Sequence, residues 1–285
     1  IPLQTAVRNS WTNGTKINKF VAPSDISKEH ELVHVAFACD STRKAQVRTM
    51  IAALHSVVVN SKQPERLEFH VFVRKSDQQS VLQHMHCALP QGKYKVRFNI
   101  YSENSELIEF PIKVRLERER RLRSPFNYIR FTLAERLPHL QKILYLDTDI
   151  IALDDVASIY DNHLKGDSNF TIAAAAREST MRQSVNFSIP EVIKAGIRPG
   201  DIAFNAGVLL IHLGNWRKQK MTQRVMQWME LNTNKPVYPL GSQPPLQLSV
   251  GNQFEHIGDK WNVDGAGHSV VSKQRLVGAK ILHWT

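Results

Sequence analysis

Two cysteines, Cys39 and Cys87, are all that the 285 residues contain. That scarcity excludes a disulfide framework, and their spacing matches no zinc motif. Cys39 closes an apolar run and reads as a small core residue; a single Cys39–Cys87 bridge stays open. No apolar stretch approaches the roughly 18 residues that a membrane-spanning helix needs, and no signal peptide is visible. The chain opens on Ile1 rather than Met. It reads as an excised domain, so a missing anchor says nothing of the full-length protein. Internal repeats and low-complexity blocks are absent. Acidic side chains are in deficit, with 26 Asp and Glu against 37 Lys and Arg and a formal net charge of +11. Such a balance favours polyanionic partners without choosing among nucleic acid, acidic membrane and phosphorylated substrates. Nucleic acid is the weakest of these, because the basic residues are scattered and not interleaved with stacking aromatics.

What is present is ordinary globular material, 42% hydrophobic and 22% charged, enough for a sizeable core. Residues 1–31 are polar and read as an irregular stem or arm, leaving 32–285 as a single domain. From Val33 onward a pattern begins. Val33–Cys39, Leu67–Val73 and Tyr94–Tyr101 read as strands. Between them, Val47, Met50, Ile51, Leu54, Val57 and Val58 recur at helical spacing, and Ser76–Leu89 suits a helix. Strand, helix, strand, helix, strand indicates a parallel α/β sheet, whose ligands bind beyond the carboxyl ends of the strands. Lys113–Arg123 is densely charged with mixed sign and reads as a solvated, ion-paired helical face. Ser124-Pro125 suits an N-cap and first-turn proline. Lys142–Leu146 is a buried strand running into Asp147-Thr148-Asp149. Asp154 and Asp155 suit the start of a short helix. Phe170–Ala176 and Phe204–Leu213 are further strands, and Trp216, Met221, Val225, Trp228 and Met229 mark an amphipathic helix. Arg177–Asp201 is polar and helix-poor and resembles a mobile loop. Gly241–Pro245 reads as a rigid turn. Asn13, Asn169 and Asn186 head Asn-x-Ser/Thr sequons, which permit a secretory-pathway protein; Asn169, at the start of a strand, is expected to be poorly accessible.

The chemistry centres on Asp147 and Asp149. Carboxylates at i and i+2 diverge along a strand, but at a strand end, where the chain turns, both can converge on one hard cation. The plain alternative is a turn with two solvated aspartates, which the apolar run before it disfavours. Asp40 and Thr42 close the first strand, where they suit either polar ligand contacts or a helix N-cap.

Ile143-Leu-Tyr-Leu-Asp147-Thr-Asp149, then Phe204-Asn205-Ala206-Gly207-Val208, then Leu282-His283-Trp284 resemble the ordered signature of family 8 glycosyltransferases. The Gly241–Leu246 turn and Trp261-Asn262 resemble the branch of animal family 8 domain-containing proteins and plant galacturonosyltransferase-like proteins. The resemblance implies a GT-A-type, Rossmann-like mixed sheet, mainly parallel, flanked by helices. It implies a retaining transferase moving a hexosyl or related sugar from a UDP-sugar to a glycan or glycoconjugate acceptor. Asp147, Asp149 and His283 would hold Mn²⁺, with Mg²⁺ an alternative. Asp40, Thr42 and Thr148 would meet the nucleotide, and Arg130 the phosphate or sugar through its fork. Asn205, Ala206 and Gly207 would line the donor-sugar pocket, the glycine allowing close backbone approach. Gln243 is expected beside the anomeric carbon, so that Gln243, Asn205 and Arg130 form the catalytic set. The expected setting is the Golgi or ER lumen, as a domain of a type II membrane protein, with a homodimer open. Family members continue past the histidine with a glycine and a Lys-Pro-Trp segment whose lysine contacts the diphosphate. This sequence stops at Thr285, which implies a truncated carboxyl-terminal end. It also keeps open a catalytically inactive nucleotide- or glycan-binding module.

Overall fold

The computed structural model describes residues 8–12, 15–20, 31–42, 44–89, 97–103, 110–267 and 270–284. A hairpin comes first, β1 (Arg8–Thr12) and β2 (Thr15–Phe20). Then β3 (Val33–Ala38), α1 (Lys44–Val59), β4 (Leu67–Arg74), α2 (Gln78–Ala88) and β5 (Arg97–Glu103) alternate. Two 3-10 segments, Glu117–Arg123 and Pro125–Phe131, precede α3 (Leu133–Arg136) and β6 (Lys142–Leu146). There follow β7 (Ile150–Ala152), α4 (Ala157–Asn162), β8 (Ile172–Thr180), α5 (Pro190–Lys194) and β9 (Ile202–His212). The rest comprises α6 (Leu213–Lys218), α7 (Met221–Asn234), α8 (Gln243–Val250), β10 (Glu255–His256), α9 (Lys273–Leu276) and β11 (Ile281–His283).

Nine strands form one sheet in the order β1-β2-β5-β4-β3-β6-β9-β8-β10. The block β5-β4-β3-β6 is parallel, as its crossover helices require. Its strands read as near-continuous apolar runs because both faces are covered. One face packs Val35, Phe37, Phe69, Val71 and Leu144 against α1 and α2. The other packs Ala36, Phe72, Tyr145 and Phe204 against Trp216, Met221 and Val225. Truncating a buried aromatic such as Phe37 or Phe69 would cost about 3–5 kcal/mol. Strand β9 runs antiparallel to β6. Its early residues therefore arrive at the edge where β3 and β6 end, and that geometry builds the site. A two-stranded sheet of β7 and β11 stands apart, with Ile150 opposite His283.

Four readings change. The stem expected over residues 1–31 is not wholly irregular, because β1 and β2 pair with each other and extend the sheet through β5; residues 1–7, 13–14 and 21–30 lie outside the described residues. Arg177–Asp201 is packed rather than loop-like. Met181, Val185, Ile189 and Val192 form a third core with Val237, Tyr238 and Leu248, since its apolar residues are spaced for a surface absent from local sequence. Gln243-Pro244-Pro245 is not a turn but the first turn of α8, where prolines lack only N–H groups that a helix start leaves unpaired anyway. Cys39 and Cys87 are both free, one buried and one exposed. Burial first, and then Asp40 and Asp77, push the Cys39 thiol up to about 12.

Candidate active site

Asp147 leaves the carboxyl end of β6 and its N–H donates to the Gly207 carbonyl at 2.8 Å. The chain then turns into β7, and β11 pairs alongside, so His283 is delivered opposite Ile150. The Trp284 N–H donates to the Asp149 carbonyl at 2.9 Å and fastens the two segments. His283 Nε2 lies 3.3 Å from Asp149 Oδ1 and 3.8 Å from Asp147 Oδ2. One ligand atom from each of the three residues falls within 4.8 Å of the others.

The imidazole is fully buried. Its Nδ1 is 3.0 Å from Asn262 Oδ1. An amide oxygen only accepts, so Nδ1 carries the proton and Nε2 presents its lone pair to the carboxylates. Nε2 has no hydrogen-bond partner within the protein, and a buried imidazole nitrogen aimed at two carboxylates suits a cation between them. These residues therefore fit a divalent metal ion.

Gly207 makes room for that ring. A Cβ built there would lie 2.8 Å from His283 Nδ1 and 2.9 Å from Nε2. The close approach at Gly207 is thus made by the His283 ring.

Arg130 is buried beneath the site. Its Nη2 donates to Asp147 Oδ1 at 2.7 Å, its Nη1 donates to the Ala206 carbonyl, and its guanidinium stacks 4.3 Å from the Tyr145 ring centre. Burial disfavours its charge, but Asp147 more than restores it. The fork expected on a phosphate is therefore spent largely on orienting Asp147.

Asn205 donates to Asp264 at 2.9 Å and accepts from the Gly207 N–H at 2.9 Å. Asp264 also accepts from Arg177 at 2.6 Å and Arg275 at 2.8 Å. Burial would raise its pKa, but the Arg177 charge and the bonds from Arg275, Asn205 and Arg177 bring it down to about 2. Gln243, at the start of α8, accepts from the Ala206 N–H at 3.0 Å.

Asp147, Asp149, His283, Arg130, Tyr145, Asn205, Ala206, Arg177 and Gln243 line one cleft of about 530 Å³, together with Thr148, Ala38, Thr49, Ser242, Glu119 and Arg121. A larger groove of about 910 Å³, between Ile197 and Trp228, lies apart from these acidic residues. Asp40 and Thr42 are placed differently from expectation. Asp40 accepts from Thr42 at 2.8 Å, Arg74 at 3.0 Å and Ser124 at 2.6 Å. Although burial opposes its ionisation, those bonds hold the carboxyl below its usual range. It ties the end of β3 to the 3-10 segment carrying Arg130, while Ala38 and Thr49 form the neighbouring cleft wall. Lys113–Arg123 does carry ion pairs, Arg121 with Glu119 and Arg123 with Glu117, and it also borders the cleft. Sequence reasoning missed Asp264, Arg177 and Arg275, which no spacing connects. It noted Asn262 only beside Trp261, although a buried amide paired with a ligand histidine is a common arrangement.

The profile of Glycosyl transferase family 8 matches residues 34–285. The chain belongs to that family. It is a glycosyltransferase of mixed α/β fold. It is 30% identical over 281 residues to "Probable galacturonosyltransferase-like 8" of Arabidopsis thaliana, covering 93% of this chain and 68% of that protein. To "Probable galacturonosyltransferase-like 7" of the same plant it is 32% identical over 247 residues, covering 83% and 63%. Among solved structures it resembles the galactosyltransferase LgtC in complex with donor and acceptor sugar analogues, with TM-score 0.63, 22% identity and coverage of 88% and 87%. It also resembles apo mouse xyloside xylosyltransferase 1, with TM-score 0.60, 15% identity and coverage of 90% and 98%. At these identities the structural likeness speaks for the fold.

Proposed function

We propose that this glycosyltransferase moves a hexosyl or related sugar, with retention, from a UDP-sugar to a glycan or glycoconjugate acceptor in a Mn²⁺-dependent reaction. The observation that carries this reading is the unpartnered His283 Nε2 facing Asp147 and Asp149 at the floor of the cleft. Two carboxylates and one imidazole suit Mn²⁺, with Mg²⁺ tolerated less well. A bound divalent ion supplies positive charge against which the diphosphate can depart.

The protein's own groups do the rest. Arg130 fixes one oxygen of Asp147 and leaves the other toward His283. Gln243 lines the cleft and accepts from the Ala206 N–H through its carbonyl oxygen, so its amide N–H₂ is the group we assign to the donor sugar. In the proposed step the bond from the anomeric carbon to the diphosphate oxygen breaks. The acceptor hydroxyl oxygen bonds to that carbon from the same face, and its proton passes to the departing diphosphate. The relatives named galacturonosyltransferase-like make UDP-galacturonic acid a donor to test. Lumenal residence in the ER or Golgi is part of the same reading, supported by the exposed sequon at Asn169.

Calorimetry of UDP with and without Mn²⁺, on the parent chain and on Asp149→Ala, tests the site. Binding that needs Mn²⁺ and vanishes in the variant supports it; equal binding in both proteins overturns it. UDP release from UDP-glucose, UDP-galactose, UDP-xylose and UDP-galacturonic acid then separates an enzyme from a binding module, because a module would hold UDP and release none from any donor.

A further inference from the structure

A second set of convergent ligand atoms lies at the opposite edge of the sheet. His34 stands near the start of β3, and Glu68 and His70 stand two residues apart on β4. The parallel register sets His34 opposite Glu68 and Ala36 opposite His70. Period-two alternation therefore places all three side chains on one face. They sit at the amino ends of strands whose carboxyl ends carry the active site, so the two clusters are separated by the length of the sheet.

One ligand atom from each residue lies within 4.8 Å of the others. His34 Nδ1 is 3.1 Å from His70 Nε2 and 4.0 Å from Glu68 Oε2. Tetrahedral zinc, with bonds of about 2.0–2.1 Å, holds neighbouring ligand atoms about 3.3 Å apart. The two separations from His34 Nδ1 lie on either side of that value. The groups behind the ligands are in place too. Asn99 Nδ2 donates to Glu68 Oε1 at 2.5 Å, and His70 Nδ1 is 3.1 Å from the Tyr101 hydroxyl. Such contacts orient ligands and fix which imidazole nitrogen is bare. His70 is buried, whereas the His34 and Glu68 side chains are 15% and 17% exposed, so the cluster is in contact with solvent.

We propose that His34, Glu68 and His70 form a zinc site, separate from the catalytic centre, with water as fourth ligand. Two imidazoles and one carboxylate favour zinc over magnesium or calcium. Without the ion, the short nitrogen–nitrogen contact requires one proton between the rings. When zinc binds, that proton moves to a ring nitrogen turned away from the ion, and His70 Nδ1 donates to the Tyr101 hydroxyl. Both lone pairs then face the ion, and no net proton leaves the two rings. The ion pins β3 to β4 at the end of the sheet remote from catalysis, so its signature is stability rather than turnover.

The test uses the whole chain carrying Asp147→Asn and Asp149→Asn, so that zinc at the catalytic cluster does not contribute. The expected result is one zinc retained per chain through desalting, and visible d–d bands of tetrahedral form when Co²⁺ replaces it. At a hundredfold excess over Kd, zinc should raise Tm by roughly 5 °C. His34→Ala and His34→Gln should each abolish retention and the Tm shift, and Glu68→Gln should weaken zinc binding at least tenfold. No zinc retained by the Asp147→Asn/Asp149→Asn protein overturns the proposal, as does undiminished zinc in both His34 variants. If neither His34 variant folds, the folded Glu68→Gln protein decides: unchanged Co²⁺ bands and affinity overturn the site. None of these results bears on Mn²⁺-dependent UDP binding, so the two readings succeed or fail separately.

Discussion

Gly207 and His283 occupy adjoining space that a single methyl group would close, because a Cβ on Gly207 would lie within 2.9 Å of both ring nitrogens. Backbone at β9 and side chain at β11 are thus fitted to each other beside Asp147 and Asp149. Gly207→Ala should displace the imidazole, reduce kcat/KM at least 100-fold, about 2.7 kcal/mol in transition-state stabilisation, and abolish Mn²⁺-dependent UDP binding. Far-ultraviolet circular dichroism should be unchanged. A variant with normal Mn²⁺ dependence would show that the ring can relocate without consequence.

Asn262 reaches the same centre from behind. Its Oδ1 holds the proton on His283 Nδ1, so Asn262→Ala frees the ring to change tautomer. A loss of about 10–100-fold in Mn²⁺ affinity is expected. Asn262→Asp keeps the acceptor and should recover part of it. Metal titrations followed by UDP binding measure both.

Asp264 gathers Arg177, Arg275 and Asn205. Its folded pKa of about 2 lies below its ordinary value of 3.8. A depressed carboxyl contributes stability in full above the unfolded value and loses it as pH falls through the folded one. Wild-type stability should therefore decline from about pH 4 toward about pH 2 by on the order of 1–2 kcal/mol through this group, allowing for solvent screening. Asp264→Asn should lack that part of the slope in urea unfolding across the range. At neutral pH the same variant loosens Asn205, and a fall in kcat/KM of about tenfold is expected in the sugar-transfer assay.

The thiols should differ sharply. Cys39 is buried with its thiol pushed up to about 12, whereas Cys87 is exposed. Alkylation of the native protein should modify Cys87 alone, and unfolding should admit the second label. Equal labelling by mass spectrometry would contradict the buried strand end.

Two sequons also differ. Asn169 is exposed, against the expectation that a strand start would hide it. Asn186 donates to the Pro236 carbonyl at 3.1 Å and accepts from the Ser188 N–H at 3.0 Å. When the chain is secreted from a eukaryotic host, glycan should be found at Asn169 and be sparse at Asn186. Peptide mapping after glycosidase treatment reads both positions.

The parallel strands were legible because doubly covered strands are apolar along their whole length, as in Val33–Cys39 and Lys142–Leu146. Asp147 and Asp149 stood out as candidates because a polar pair directly after such a run has few structural uses, and the fold brings them together with His283. The order of motifs supplied His283, which no local pattern could, since its meaning depends on the pairing of β11 with β7. What stayed hidden depends on partners distant in sequence. The core formed by Met181, Val185 and Ile189 needs Val237 and Leu248 to exist. Asp264 looks like any surface aspartate until Arg177 and Arg275 arrive beside it. Arg130 and Asp40 were read as ligand contacts because their chemistry suits ligands, yet the fold uses them first to aim other groups.

The pairing of β11 with β7 joins segments about 130 residues apart in the chain. During synthesis the acidic pair emerges long before its imidazole, and the cradle behind Gly207 stays empty until Ile281–His283 has been delivered. A polypeptide lacking Ile281–His283 would keep the two carboxylates and lose both the strand partner of β7 and the imidazole that fills the space beside Gly207.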